Sequence, residues 1–126
     1  MKIFLDTANI AAIKLYNDMG LVDGITTNPS LLAKEGGDPQ KTMEEIVRIV
    51  KGDVSLEVVS TETAGMVDEA HRLRKYGNNV VVKCPMTAEG LKACRILTKE
   101  GIPVNVTLCF SVNQAILAAK AGAKYV

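Results

Sequence analysis

The chain has 126 residues, 48% of them apolar and 4% aromatic, with no Trp; this is a globular composition and excludes a disordered or low-complexity chain. Fifteen Lys and Arg against fourteen Asp and Glu leave a formal net charge of +1, so bulk electrostatics give no reason for a nucleic-acid or anionic-membrane partner. The length suits one domain over residues 1–126 and falls short of the roughly 200 residues or more of a complete eight-stranded β/α barrel.

Short runs rich in Val, Ile and Thr predict strands at 2–6, 24–28, 54–59, 80–84 and 103–108, with a sixth beginning at 125–126. Helical periodicity fills the intervals: Ile10, Ile13 and Met19; Met43, Ile46, Val47 and Val50; Met66, Ala70 and Leu73; Leu91, Cys94 and Leu97. Pro29 and Pro39 sit where first-turn prolines belong. Asn9 suits a helix start, Ser30 suits either a helix cap or a substrate contact, and Ser111 to Gln114 reads as a capping box. Gly77, Gly101 and Gly122 follow helical stretches, where left-handed caps are expected. Glu35-Gly-Gly37 reads as a loop without a phosphate-binding pattern. Strands alternating with helices imply βαβ units and a parallel sheet, either an open flavodoxin-like sheet or part of a barrel.

Cys84, Cys94 and Cys109 form an odd set without CxxC spacing, which favours reduced thiols over a disulfide framework or zinc site. There is no run of about 18 apolar residues, and the N-terminal MKIFLDTAN lacks the apolar core of a signal peptide. A cytoplasmic protein is expected. His71 falls in a helical run of charged residues, on a solvated face, and the Met residues read as core filler.

Side chains alternate across a strand. On each predicted strand one face is apolar and the other carries a polar group: Asp6 on the first, Thr26 and Asn28 on the second, Ser55 and Glu57 on the third, Lys83 on the fourth, Asn105 and Thr107 on the fifth. In an open sheet covered on both sides these groups would be costly to bury. In a barrel they converge on the interior at the C-terminal mouth, where active sites sit, and the barrel is the favoured reading. Lys83, in Val80-Val-Val-Lys83-Cys-Pro85, is the most telling of them. Desolvation disfavours an ammonium group, and a neutral amine is the nucleophile that forms a Schiff base with a carbonyl. The alternative is a lysine that merely forms a buried ion pair with Asp6 or Glu57; the acids and amides on neighbouring strands favour catalysis.

Four segments carry a resemblance: Phe4-Leu-Asp6-Thr-Ala-Asn9, Gly24-Ile-Thr-Thr-Asn28-Pro-Ser30-Leu, Val80-Val-Val-Lys83-Cys-Pro85-Met-Thr and Gly101-Ile-Pro-Val-Asn105-Val-Thr107-Leu-Cys-Phe110-Ser. Together they resemble the transaldolase family, in its short bacterial and archaeal form that includes fructose-6-phosphate aldolase. The resemblance implies a (β/α)8 TIM barrel and a class I aldol mechanism with no metal or other cofactor. It implies Lys83 as the Schiff-base lysine, Asp6 as the acid/base group, and Glu57 with Thr107 as the holders of a catalytic water. It implies Asn28, Asn105, Thr26, Ser30 and Phe110 at or near the bound substrate.

The implied activity is transfer of a dihydroxyacetone unit between sugar phosphates such as sedoheptulose 7-phosphate and fructose 6-phosphate, in the pentose phosphate pathway, by a homo-oligomer. The aldolase branch resembles a form with Gln at the third-strand position and Tyr after the fifth strand. Glu57 and Phe110 stand there in this chain and favour transaldolase. The sequence stops as the sixth strand begins, so about five βα units are expected, with the family's phosphate-binding serine and arginine beyond residue 126. Part of a longer enzyme, a truncated product and a half-barrel that associates with another copy are the open explanations. A noncatalytic α/β domain is the competing function class, and a deoxyribose-phosphate type of Schiff-base aldolase is disfavoured by the TTNPS and NVT segments.

Overall fold

A computed structural model describes residues 1–126. Five strands alternate with six helices: β1 (Phe4–Asp6), α1 (Ile10–Asp18), β2 (Gly24–Thr26), α2 (Pro29–Glu35), α3 (Pro39–Ile49), β3 (Asp53–Glu57), α4 (Thr63–Arg74), β4 (Val80–Pro85), α5 (Ala88–Lys99), β5 (Val104–Thr107) and α6 (Val112–Ala121). Four strands are shorter than the runs that predict them, while β4 extends one residue further, to Pro85. No helix is long and apolar enough to cross a membrane. Contacts divide the chain into two compact units, Met1–Leu56 with Tyr76–Val80, and Glu57–Lys75 with Val81–Val126.

In the first unit β1 pairs with β2 in parallel, Asp6 opposite Thr26, and β2 pairs with β3 in parallel, Thr26 opposite Ser55. β2 therefore lies between β1 and β3. A flavodoxin-like sheet would place β1 in that middle position, so sequence-adjacent pairing selects the β/α-barrel type of fold. Ile13, Ile25, Ile46, Val54 and Leu56 are fully buried. The helix starts follow local chemistry. Asn9 Oδ1 accepts from the Ala12 N–H at 2.8 Å, and Asn28 Oδ1 accepts from Leu31 N–H at 3.0 Å. Ser30 is thus an exposed residue inside α2, not its cap. Pro29 and Pro39 occupy first turns as expected, and the chain breaks between α2 and α3 at Gly36 and Gly37, with φ of 71° and 70°.

Gly101 and Gly122 take the expected left-handed backbone, but Gly77 does not. Its constraint is space: a Cβ there would lie 2.5 Å from Val47 Cγ1 and 2.8 Å from Asn79 Oδ1. Asn79 beside it is a clasp. Its side-chain Nδ2 donates to the carbonyls of Val47, Val50 and Gly52 at 3.2, 2.8 and 3.2 Å, gathering the turn from α3 into β3. Its own carbonyl accepts from Val54 N–H at 2.8 Å.

In the second unit β4 pairs with β5 in parallel, and Asn105 forms an isolated parallel bridge to Tyr125. The core gathers Met66 and Ala70 of α4, Val82 and Cys84 of β4, Ala93, Cys94 and Leu97 of α5, Val104 and Val106 of β5 and Ala118 of α6. Gly90 lets α5 sit against the end of β4, since a Cβ there would lie 1.9 Å from the Pro85 carbonyl oxygen. The Thr63 hydroxyl donates to the Glu89 carboxylate, joining α4 to α5. Hydrogen bonds from Lys92 and then Thr63 hold that carboxyl down at about 2. His71 is exposed, as expected, and pairs with Glu100 at 2.7 Å.

Replacing Asn79 with Ala strands three carbonyls. The expected loss is about 1–3 kcal/mol of unfolding free energy, read as a lower urea midpoint by circular dichroism. An unchanged midpoint would show that this clasp holds nothing.

Candidate active site

The sequence singles out the C-terminal ends of the strands, and each unit can be built there from its own residues. In the first, Asp6 is the last residue of β1 and exposed. Its register partner Thr26 shares its face, and the Thr26 hydroxyl donates to Asp6 Oδ1 at 2.8 Å. Thr26 is therefore committed to orienting the carboxylate. Asn28 Oδ1 is committed to capping α2, which leaves its amide NH2 as the group able to donate to a ligand. Ser30 is exposed beyond it.

In the second unit, Lys83 lies within an apolar run, with Val81, Val82 and Cys84 fully buried around it; the lysine itself is only 7% exposed. Its Nζ lies 3.1 Å from Oε2 of the half-buried Glu57, the last residue of β3. A buried cationic group requires such a partner. The ion pair foreseen as one alternative is thus present, and it is compatible with catalysis. Glu57 is a hydrogen-bond acceptor placed against the amine. Asn105 is the register partner of Lys83, and Thr107 is the partner of Pro85. Side chains two apart on a strand share a face, so Lys83, Asn105 and Thr107 emerge on one side. The period-two reading of β4 and β5 holds at these residues. Phe110 follows the strand and is 82% exposed.

Two features have no local sequence signal. Leu108, directly after Thr107, has φ of 63°, a left-handed conformation that is an outlier for a bulky residue. Glu69, on α4, accepts the N–H groups of Val59 at 2.6 Å and Ser60 at 3.1 Å. The partner residues are ten and nine positions away, beyond any capping pattern. Gln114 makes a similar reach: its Oε1 accepts from Phe110 N–H at 2.7 Å, while its N–H donates to Ser111 Oγ at 3.2 Å. The Ser111 half of the expected capping box therefore forms, and only the returning bond from Gln114 falls one residue earlier, on Phe110.

No three His, Cys, Asp or Glu side chains group closely enough to hold a metal ion. The thiol next to Lys83 is a poor nucleophile. Burial, then the neighbouring Cys94 and Glu57, push the Cys84 thiol up to about 12, and burial pushes Cys94 up to about 11. Reactivity needs the thiolate, which these two lack near neutral pH. Cys109 is half-buried.

Comparison with known proteins is concordant along the chain. The sequence profile of the family Transaldolase/Fructose-6-phosphate aldolase matches residues 3–126. A protein of Nitrosopumilus maritimus named "Probable transaldolase" is 73% identical over the whole chain, which covers 57% of that relative. Proteins of the same name from Methanococcus vannielii and Geobacter sulfurreducens are 61% and 58% identical over the whole chain, which covers 59% of each. The chain thus spans less than two thirds of the length of these curated relatives.

The thiol contrast is directly measurable. In the native protein near neutral pH, Ellman's reagent should modify Cys109 first and alone, with Cys84 and Cys94 reacting only on unfolding. Rapid modification of two or three thiols in the native state would contradict the burial described.

Proposed function

The chain belongs to the transaldolase/fructose-6-phosphate aldolase family, and from that premise we propose that it carries the Schiff-base half of a transaldolase. The observation that carries this reading is the buried Lys83 amine set 3.1 Å from the Glu57 carboxylate on the polar face of strands rich in hydrogen-bonding groups. The substrates are ketose phosphates, and the reaction passes a dihydroxyacetone unit from a donor such as fructose 6-phosphate to an acceptor aldose phosphate.

The Lys83 amine attacks the ketose C2 carbonyl, and the carbinolamine loses water to give an iminium ion. The iminium accepts the electron pair of the breaking C3–C4 bond while Asp6, held by Thr26, takes the proton of the C4 hydroxyl. The donor aldehyde leaves, the enamine attacks the acceptor carbonyl, and Asp6 returns the proton. Water then releases the product and regenerates the amine. Glu57 and Thr107 hold the water that enters and leaves at the carbinolamine. The Asn28 NH2 group and Asn105 hydrogen-bond substrate hydroxyls, and Ser30 and Phe110 border the bound sugar. Glu57 and Phe110, where the aldolase branch resembles a form with Gln and Tyr, favour transfer to an acceptor over release of dihydroxyacetone. A homo-oligomer in the cytoplasm accords with the same reading.

The test is transfer from fructose 6-phosphate to erythrose 4-phosphate by the purified protein. Sedoheptulose 7-phosphate is the expected product; free dihydroxyacetone as the main product would identify an aldolase. Lys83→Met should reduce transfer to background. Asp6→Ala should still form the covalent adduct but lose turnover by roughly 100-fold or more; equal loss of both steps would make Asp6 structural.

A further inference from the structure

We propose that Glu69 is a positioning residue for the Lys83 amine: it holds the chain as it leaves β3 and so sets Glu57 against Lys83. The inference rests on the reading of Lys83 given above. Three consecutive amides follow Glu57. Val58 N–H donates to the carbonyl of Lys83 itself at 3.2 Å. Val59 and Ser60 donate to Glu69 Oε2 and Oε1 at 2.6 and 3.1 Å. The first bond ties the backbone after Glu57 to the backbone of the lysine. The next two fix the direction in which the chain departs.

Backbone N–H groups at a strand end bond either to water or to a protein acceptor. A carboxylate is the strong choice, since charge-assisted bonds are roughly twice as strong as neutral ones. By using both oxygens on adjacent amides, Glu69 locks its own rotation as well as the turn. Glu57 is one residue before the first of these three amides, and its 3.1 Å contact with Lys83 depends on where its Cα sits. A displacement of about 1 Å in a reacting group can cost roughly 100-fold in rate. Glu69 is half-buried on α4 and acts through the backbone, not on substrate. Gln114 applies the same device after β5, holding Phe110 behind Thr107.

The test compares Glu69→Ala and Glu69→Gln with the wild-type chain by two readouts. The first needs no sugar: isotope-edited NMR of the Glu57 Cδ and Lys83 Cε resonances. The second is the rate of borohydride trapping of dihydroxyacetone at Lys83. Glu69→Ala should move both resonances and slow trapping roughly 10- to 100-fold, with the half-saturating dihydroxyacetone concentration unchanged. Glu69→Gln keeps one acceptor for the turn and should recover trapping to within a few-fold of wild type.

Resonances left in place, wild-type trapping by Glu69→Ala, or equal impairment of the Ala and Gln variants would overturn the proposal. Should Glu69→Ala fail to fold, Glu69→Asp, whose shorter side chain cannot reach both amides, takes its place. If wild-type Lys83 traps nothing, the Schiff-base reading fails, and the resonances alone decide whether Glu69 positions the pair.

Discussion

The contact between Lys83 Nζ and Glu57 Oε2, 3.1 Å apart, is the constraint on which the second unit turns. A lysine only 7% exposed between fully buried Val82 and Cys84 is costly to keep charged without a partner. Buried ion pairs seldom add net stability over well-packed apolar residues, yet breaking one by removing a partner costs roughly 3–5 kcal/mol. The pair therefore makes poor sense as a stabilising device. The proposed reaction gives it a use, since there an amine is kept out of bulk water with a proton acceptor at hand.

Side-chain hydrogen bonds brace the strand ends. Thr26 fixes the Asp6 carboxylate in the first unit, and Asn28 caps the helix that follows β2. In the second, Glu69 and Gln114 reach back from α4 and α6 to the turns after β3 and β5, and Thr87 caps α5 by accepting from Gly90 N–H at 3.0 Å. Each is a side chain bonded to the backbone or to a carboxylate at the end of a strand. Sites supported in this way hold their geometry better than sites on unsupported loops.

Much of this was legible in the sequence because the strand period is two and leaves no freedom of face. Once Val80, Val82 and Cys84 were assigned to one side, Lys83 had to lie on the other, and Asn105 and Thr107 followed by the same parity on β5. The prolines and the Asn9 and Ser111 caps were legible because capping is local. What was not legible depends on residues far apart in sequence. The order β1–β2–β3, which separates barrel-type pairing from a flavodoxin-like order, is written in no single segment; only the polar faces of five strands taken together point to the barrel. Glu69 looks like any polar helix position until the turn at Val59 and Ser60 is brought to it. Ser30 was displaced as a cap because Asn28, two residues earlier, offers a better-placed acceptor, and Gly77 is demanded by Val47 and Asn79, not by a helix end. The left-handed Leu108 violates residue preference outright, as residues beside functional groups sometimes do.

The central claim is that Lys83, and no other amine, becomes covalently bonded to a ketose. The most direct measurement is tryptic mapping of the protein after reduction with borohydride in the presence of fructose 6-phosphate. A reduced adduct is expected on Lys83, blocking cleavage there and yielding a modified peptide spanning residues 76–92. An adduct on a different lysine, or none under conditions that trap an authentic transaldolase, would contradict it.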